Sequence, residues 1–233
     1  MPITFVGGIV TINASTGADV VHTLNDSLLN NDVVLILGVV RDVDDTVTIT
    51  GYTQIATWDR GTTARYFLFG RRWLAGDPTI VTFDKSTATG DTYVFSIAFR
   101  GCISIGTAWE VVGTGSGTTA DPSVFTGITT LTPGSMVVCT CGGEDNNNAS
   151  IITTGTDPAT YNEVYAESAT GADGVITFSY EIRTATGATG SVSVNWNVAI
   201  PVGAGGIVIA LKPEPFNESV FGTTLMDLMG VGH

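Results

Sequence analysis

Three stretches of this chain set apolar side chains at every second residue. TYVFSIAFR from Thr92 sets Tyr93, Phe95, Ile97 and Phe99 on one side against Thr92, Ser96 and Arg100. VITFSYEIR from Val175 sets Ile176, Phe178, Tyr180 and Ile182 against Thr177, Ser179, Glu181 and Arg183. SVSVNWNVAI from Ser191 sets Val192, Val194, Trp196, Val198 and Ile200 against Ser191, Ser193, Asn195 and Asn197. A period of two belongs to strands, and the polar side predicts antiparallel strands with one wet face. DVVLILGVV from Asp32 and GIVIALK from Gly206 are apolar on both sides and predict inner strands.

Shorter strand candidates are Ile3–Thr11, Thr46–Thr50, Arg65–Leu74, Thr79–Phe83, Cys102–Val111, Ser135–Cys141, Ser150–Thr154 and Tyr161–Ser168. Turn clusters such as STATGD, GGEDNNN and TATGATG separate them. Many short strands at near-regular spacing predict an all-β antiparallel sandwich, jelly-roll-like. The one helix-like stretch, GADVVHTLNDSLLNNDV, fits a helical stripe loosely through Val20, Val21, Leu24, Leu28 and Leu29, and a loop with apolar anchors fits it equally. No repeat period or linker divides the chain, so a single domain over residues 1–212 is expected, followed by a tail at 213–233. Pro213 and Pro215 end the last strand. The tail carries Phe216, Phe221, Leu225 and Met226 with few charges, and is expected to be a subunit-contact arm.

Composition narrows function. The 29 glycines and the abundant Thr, Val and Ile suit pleated sheets and turns. The net charge is −13 and only nine residues are Lys or Arg, so no basic stripe is present to neutralise a phosphate backbone. Nucleic acid is not an expected partner. No run of about 20 apolar residues offers a membrane-spanning helix. The opening MPITFVGGIV lacks a basic segment and is broken by Gly7 and Gly8. It does not read as a signal peptide, and synthesis in a cytosol is expected.

Catalytic chemistry finds little purchase. His22 and His233 are the only histidines, so a serine triad would have to use His22. GTGSGTT around Ser116 lacks the G-x-S-x-G spacing of a nucleophile turn and reads as a loop. Cys139 and Cys141 fall on one strand face with Val137, where a disulfide between them would be strained. Cys102 is the only other thiol, short of a four-ligand zinc set, so the cysteines are expected to pack as small apolar residues. Asp42, Asp44 and Asp45, and likewise Glu144, Asp145 and Asn146, offer oxygen ligands without EF-hand spacing, and solvated turns are the expected reading. No catalytic residue, metal or cofactor is expected. Trp196 belongs to an apolar face, whereas Trp58 and Trp109 lie near turns, where an indole can stack on a sugar or anchor an interface. With Glu144 and Asp145 they form the candidate ligand face.

Two segments carry a family pattern: DTVTITGYTQIATWDRGTTARYFLFGRRWLAGDPTIVTF and TYVFSIAFRGCISIGTAWEVV. So do ADPSVFTGITTLTPGSMVVCTCGG and AGGIVIALKPE. Together they resemble a group of tailed-bacteriophage virion proteins over most of Gly38 to Glu214. Their shared features are a strand, a G-[WY]-T-x-[IV] turn, a polar loop, an aromatic strand with Arg, and an A-x-R/F-R-G strand end. Tyr52 stands where that turn often carries Trp, and the Phe- and Met-bearing tail also departs from the pattern. No catalytic residue travels with the resemblance. It implies a jelly-roll-like structural part of the virion, made in the host cytoplasm. A capsid decoration or head-surface protein is expected, with the major capsid protein, tail proteins or further copies of itself as partners. The alternative is a tail or fibre component with a face for a host-surface glycan; a glycan-degrading enzyme is a weaker third reading.

Overall fold

The structure, a computed structural model, describes residues 1–13, 19–86, 91–118, 122–143, 151–168, 174–196 and 204–215. Every described regular element is a strand, and every strand pairing is antiparallel, so the all-β expectation holds. The first eight are β1 (Thr4–Asn13), β2 (Val20–Thr23), β3 (Val33–Val40), β4 (Val47–Thr48), β5 (Thr53–Arg60), β6 (Ala64–Arg72), β7 (Ile80–Lys85) and β8 (Thr92–Arg100). They are followed by β9 (Trp109–Val112), β10 (Ser116–Thr118), β11 (Ser123–Phe125), β12 (Thr129–Thr130), β13 (Ser135–Gly143) and β14 (Ile151–Thr154). The last are β15 (Asn162–Ser168), β16 (Gly174–Arg183), β17 (Gly187–Ala188), β18 (Val192–Trp196) and β19 (Ala204–Leu211).

The sheets stack in layers. An outer sheet, β2-β7-β4, covers one side of the sheet β1-β8-β3-β6-β5. The other side of that sheet packs on β10-β19-β13-β16-β15, which β9 joins by pairing with β19. A second outer sheet, β11-β18-β14, covers the far side. The central strands of both middle sheets are therefore buried on both faces, and this corrects the wet face expected for TYVFSIAFR. Tyr93, Phe95, Ile97 and Phe99 enter the central core, while Val94 and Ala98 enter the core beneath the outer sheet. The polar members of β8 are buried with partners: Ser96 Oγ lies 2.8 Å from His22 Nε2, and Lys85 Nζ donates to Thr92 Oγ1 at 3.2 Å. VITFSYEIR behaves alike, with Thr177 and Ser179 buried beside Phe178.

The helix-like stretch is instead strand β2, with alternate residues Val20 and His22 buried, followed by a loop whose Leu24 enters the same core. That loop is fixed by Asp32, a buried carboxylate that accepts from Leu29 N at 2.8 Å and pairs with Arg100 through Nε at 2.9 Å and Nη2 at 2.7 Å. Val20 and Leu24, four apart, both face the core without any helix.

A repeat absent from the sequence is present in the strand order. β9 and β10 both pair with β19, one along each end, and together act as a single broken edge strand. β12 and β17 pair only with each other. Numbering the remaining strands of each half from one to eight, both halves give the order 1-8-3-6-5 for the large sheet and 2-7-4 for the small one. Corresponding rows cross the two large sheets near the same strand ends: Val33 faces Arg72 and Phe99, and Met136 faces Ile182 and Leu211. The two large sheets meet face to face around Leu35, Leu37, Phe95, Val138, Phe178 and Ile209. Phe95 and Phe178 make an edge-on contact across that boundary, ring centroids 5.2 Å apart.

The segment joining the halves is tied to the end of β19. Lys212 N donates to Ala108 O at 2.8 Å, Ile103 N to Lys212 O at 2.9 Å and Glu214 N to Gly101 O at 2.8 Å. The Glu214 carboxylate receives Ser104 N at 2.5 Å and Ser104 Oγ at 3.1 Å. The beginning of the expected tail thus lies on the chain's own linker. Phe216, Phe221, Leu225 and Met226 lie outside the described residues.

Candidate functional site

The two tryptophans expected to share a ligand face pack on the same central core but differ in exposure. Trp58 lies on β5, its side chain alternating inward, and is only 6% exposed. Its indole stacks on Tyr66 at 5.4 Å, and a Cβ on Gly115 would come within 2.5 Å of it. Tyr66 in turn donates to Gly142 O at 2.9 Å and rests on Gly205. The glycines of GTGSGTT are therefore a packing seam: Gly115 makes room for Trp58, and Gly117 for the backbone of Arg60. A ring enclosed in this way offers no surface to a sugar, so Trp58 leaves the candidate face. Glu144 and Asp145 lie outside the described residues.

Trp109 has a different setting. It opens β9, is half-buried, and lies over Gly70, where a Cβ would meet its ring at 2.9 Å. The indole helps line a cleft of about 390 Å³, whose other walls come from Gly51, Thr53, Arg71, Arg72, Leu74 and the 106–108 backbone. Arg71 pairs with Asp77, and its guanidinium sits 5.7 Å from the centre of the Tyr52 ring. Asp77 also accepts from Leu74 N at 2.8 Å, closing the turn after β6. Arg72 donates through Nη2 to the carbonyls of Ile103 and, at 3.0 Å, Gly106. Its Nε is buried and has no hydrogen-bond partner among the described residues. Sequence reasoning missed the two arginines; the available signal was a twin Arg in a chain with only nine cationic residues.

The remaining polar groups hold structure. His22 is fully buried, with Nδ1 2.8 Å from Thr11 Oγ1 and Nε2 2.8 Å from Ser96 Oγ. Burial lowers its pKa to about 4. A serine beside a histidine has the spacing of a nucleophile and base, but here the third member is a threonine and both groups lie inside the core. Glu110 accepts from Leu131 N, Thr132 N, Thr132 Oγ1 and Ser135 Oγ. Burial alone would raise its pKa, and these hydrogen bonds outweigh that and hold it below the usual value.

Cys139 and Cys141 are free thiols, 1% and 0% exposed, packed with Val137 between β13 and β18. Burial pushes Cys139 up to about 12 and Cys141 well above its ordinary value, where neither is a thiolate nucleophile at neutral pH. Asp44 N donates to Asp42 Oδ1 at 2.9 Å, a turn-closing contact, and Asp45 accepts from Ser86 Oγ at 2.8 Å. No cluster of three or more metal-ligating side chains occurs among the described residues.

No protein-family model matches the chain, and neither does a curated protein or a solved structure. The class that fold and geometry define is an all-β protein with a repeated strand order and, among the described residues, a cleft lined in part by Trp109, Arg71 and Arg72.

Proposed function

We propose that this chain is a structural protein of a tailed-bacteriophage virion, most simply a capsid decoration or head-surface protein that works through protein contacts. The observation that supports this reading is the repeated order 1-8-3-6-5 with 2-7-4. In an eight-stranded jelly roll, strands 1, 8, 3 and 6 share one sheet and 2, 7, 4 and 5 the other. Each half follows that plan except that its fifth strand pairs beside the sixth. Two jelly-roll-like units set back to back make a rigid slab with a small sheet on either side. Such a slab suits repetitive docking, and the acidic surface suits solubility at high copy number.

On this reading the chain is not an enzyme and needs no cofactor. Its partners are the major capsid protein, tail proteins or further copies of itself, and Phe216, Phe221, Leu225 and Met226 serve as contact residues. Mass-spectrometric copy number in purified particles tests the reading: hundreds per particle fit decoration, and absence from the particle refutes it. Deleting residues 216–233 should abolish assembly while leaving the folded part intact; unchanged assembly would remove the tail from the proposal.

A second reading, a tail or fibre component with a carbohydrate-binding face, draws on one observation. Trp109 and two arginines line a cleft of about 390 Å³, within the range of small-ligand sites. A handful of copies per particle, with adsorption lost on Trp109→Ala, would favour it.

A further inference from the structure

We propose that residues 216–233 lie back over one apolar end of their own molecule before assembly; this rests on the reading of that segment as a contact arm. Strand ends define the surface. β1, β3, β5, β13 and β15 start there, and β6, β8, β16 and β19 finish there. The halves share this end because residues 101–108 hydrogen-bond to residues 212–214. Among the described residues, the three most exposed large apolar side chains all belong to it: Ile105 at 81%, Met1 at 79% and Leu131 at 66%. Leu29 and Leu74 are exposed on two further loops, joined by a hydrogen bond from Asn31 N to Trp73 O at 2.8 Å. Single exposed apolar side chains are ordinary, whereas several gathered at one end mark a surface that a partner segment covers.

The covering segment is identified by where it starts. Glu214 N donates to Gly101 O at 2.8 Å, and Gly101 lies against the backbone of Pro2, next to Met1. The Glu214 carboxylate holds Ser104, next to Ile105. The arm is therefore rooted between the two most exposed apolar side chains of the described residues. Eighteen residues follow Pro215, with Phe216, Phe221, Leu225, Met226, Leu228 and Met229 among them and only Glu218 and Asp227 as charged side chains. Fully extended they reach about 60 Å, so length does not confine them.

Physical cost separates the chain's own arm from that of a second copy. An arm tethered at its root meets its own end at high effective concentration and gives up only loop freedom. A second copy would have to lose translational freedom and approach against a like charge of −13. Covering within one molecule therefore comes first, and assembly exchanges the arm from this end onto a partner.

Thiol reactivity on the full chain tests this. Cys102, Cys139 and Cys141 are buried, so Ile105→Cys gives a maleimide reagent one accessible reporter. Val124→Cys, exposed on the outer sheet β11-β18-β14, is the control. Adding Phe221→Asp and Leu225→Asp should speed the reaction at position 105 about tenfold or more and leave that at 124 unchanged, in chains that keep one cooperative urea transition. With the arm unsubstituted, the slow rate at 105 should not vary with protein concentration. Equal rates at 105 with and without the arm substitutions would overturn the proposal; loss of assembly on deleting 216–233 would still leave the arm reading standing. Protection that grows with concentration would also overturn it, since the arm would then come from a second copy. So would equal shielding at 124, which would show an arm with no preferred surface.

Discussion

The two halves pair their strands in one order and fill them with different residues. In the first half the row across the large sheet at Gly38 reads Phe67, Gly38, Val94. The equivalent row in the second half reads Thr177, Cys141, Gly206. Gly38 is vacant because the Phe83 ring from the outer sheet occupies the space its Cβ would need. In the second half the vacancy moves one strand across, to Gly206, where Phe125 enters and a Cβ would come within 2.6 Å of its ring. Each half thus accepts one aromatic ring from its outer sheet into a gap left by a glycine, on different strands. The first half adds Phe67 and Phe69 edge-on to Phe83, at 6.2 and 6.1 Å. The second uses small residues, Cys139, Cys141, Ala204 and Ala210. Topology is kept by the pairing pattern, while side-chain volume is traded between neighbours in a row.

Substitutions can break this comparison at graded cost. The largest effect is expected at the boundary both halves share: Phe178→Ala should lose about 3–5 kcal/mol, read as one urea transition shifted for the whole chain. Two separate transitions would show that the halves do not depend on one core.

Next comes an asymmetry in pH. His22 sits in the first half alone, and its folded-state pKa is lowered to about 4 by burial. Between about pH 6.5 and that value the unfolded chain binds the proton and the folded chain does not. Stability from this group is complete above about pH 6.5 and falls by about 3 kcal/mol as pH drops to about 4. His22→Gln should flatten the slope of denaturation free energy over that window; an unchanged slope would contradict the assignment.

Smaller effects sharpen the trade in volume. Gly38→Ala and Gly206→Ala should each cost about 1–3 kcal/mol by overpacking. Phe83→Leu should partly relieve the first and leave the second untouched, whereas Phe125→Leu should do the reverse. Relief in the wrong half, seen in urea midpoints, would break the pairing of gap and ring. The smallest effect belongs to the thiols: Cys141→Ala should cost about 1 kcal/mol and leave the oligomeric state unchanged, as measured by light scattering.

This trade explains what the sequence concealed. The inner strands β3 and β19 were legible because both faces are apolar, whatever covers them. The alternation of β8 and β16 gave strands correctly but suggested water where a further sheet lies. Thr92, Ser96, Thr177 and Ser179 are polar yet buried, with hydroxyls that find partners inside. Short strands such as β10, β12 and β17 were hidden in Gly- and Thr-rich segments that local pattern assigns to turns. The repeat itself was invisible because Gly38 aligns with Cys141, and Val94 with Gly206. Of the candidate ligand face, Trp109 was legible as an aromatic near a turn. Trp58 was not, because the Gly115 and Tyr66 that enclose it arrive from elsewhere in the chain.

The claim underlying the rest is that two equivalent halves form one body through the core between their large sheets. Native-state hydrogen exchange of β3 and β8 against β13 and β19 tests it most directly. The slowest amides of all four strands should exchange with the same opening free energy, equal to that of global unfolding. A lower opening free energy for one pair, with the other still protected, would mean that the halves open independently and would contradict the account.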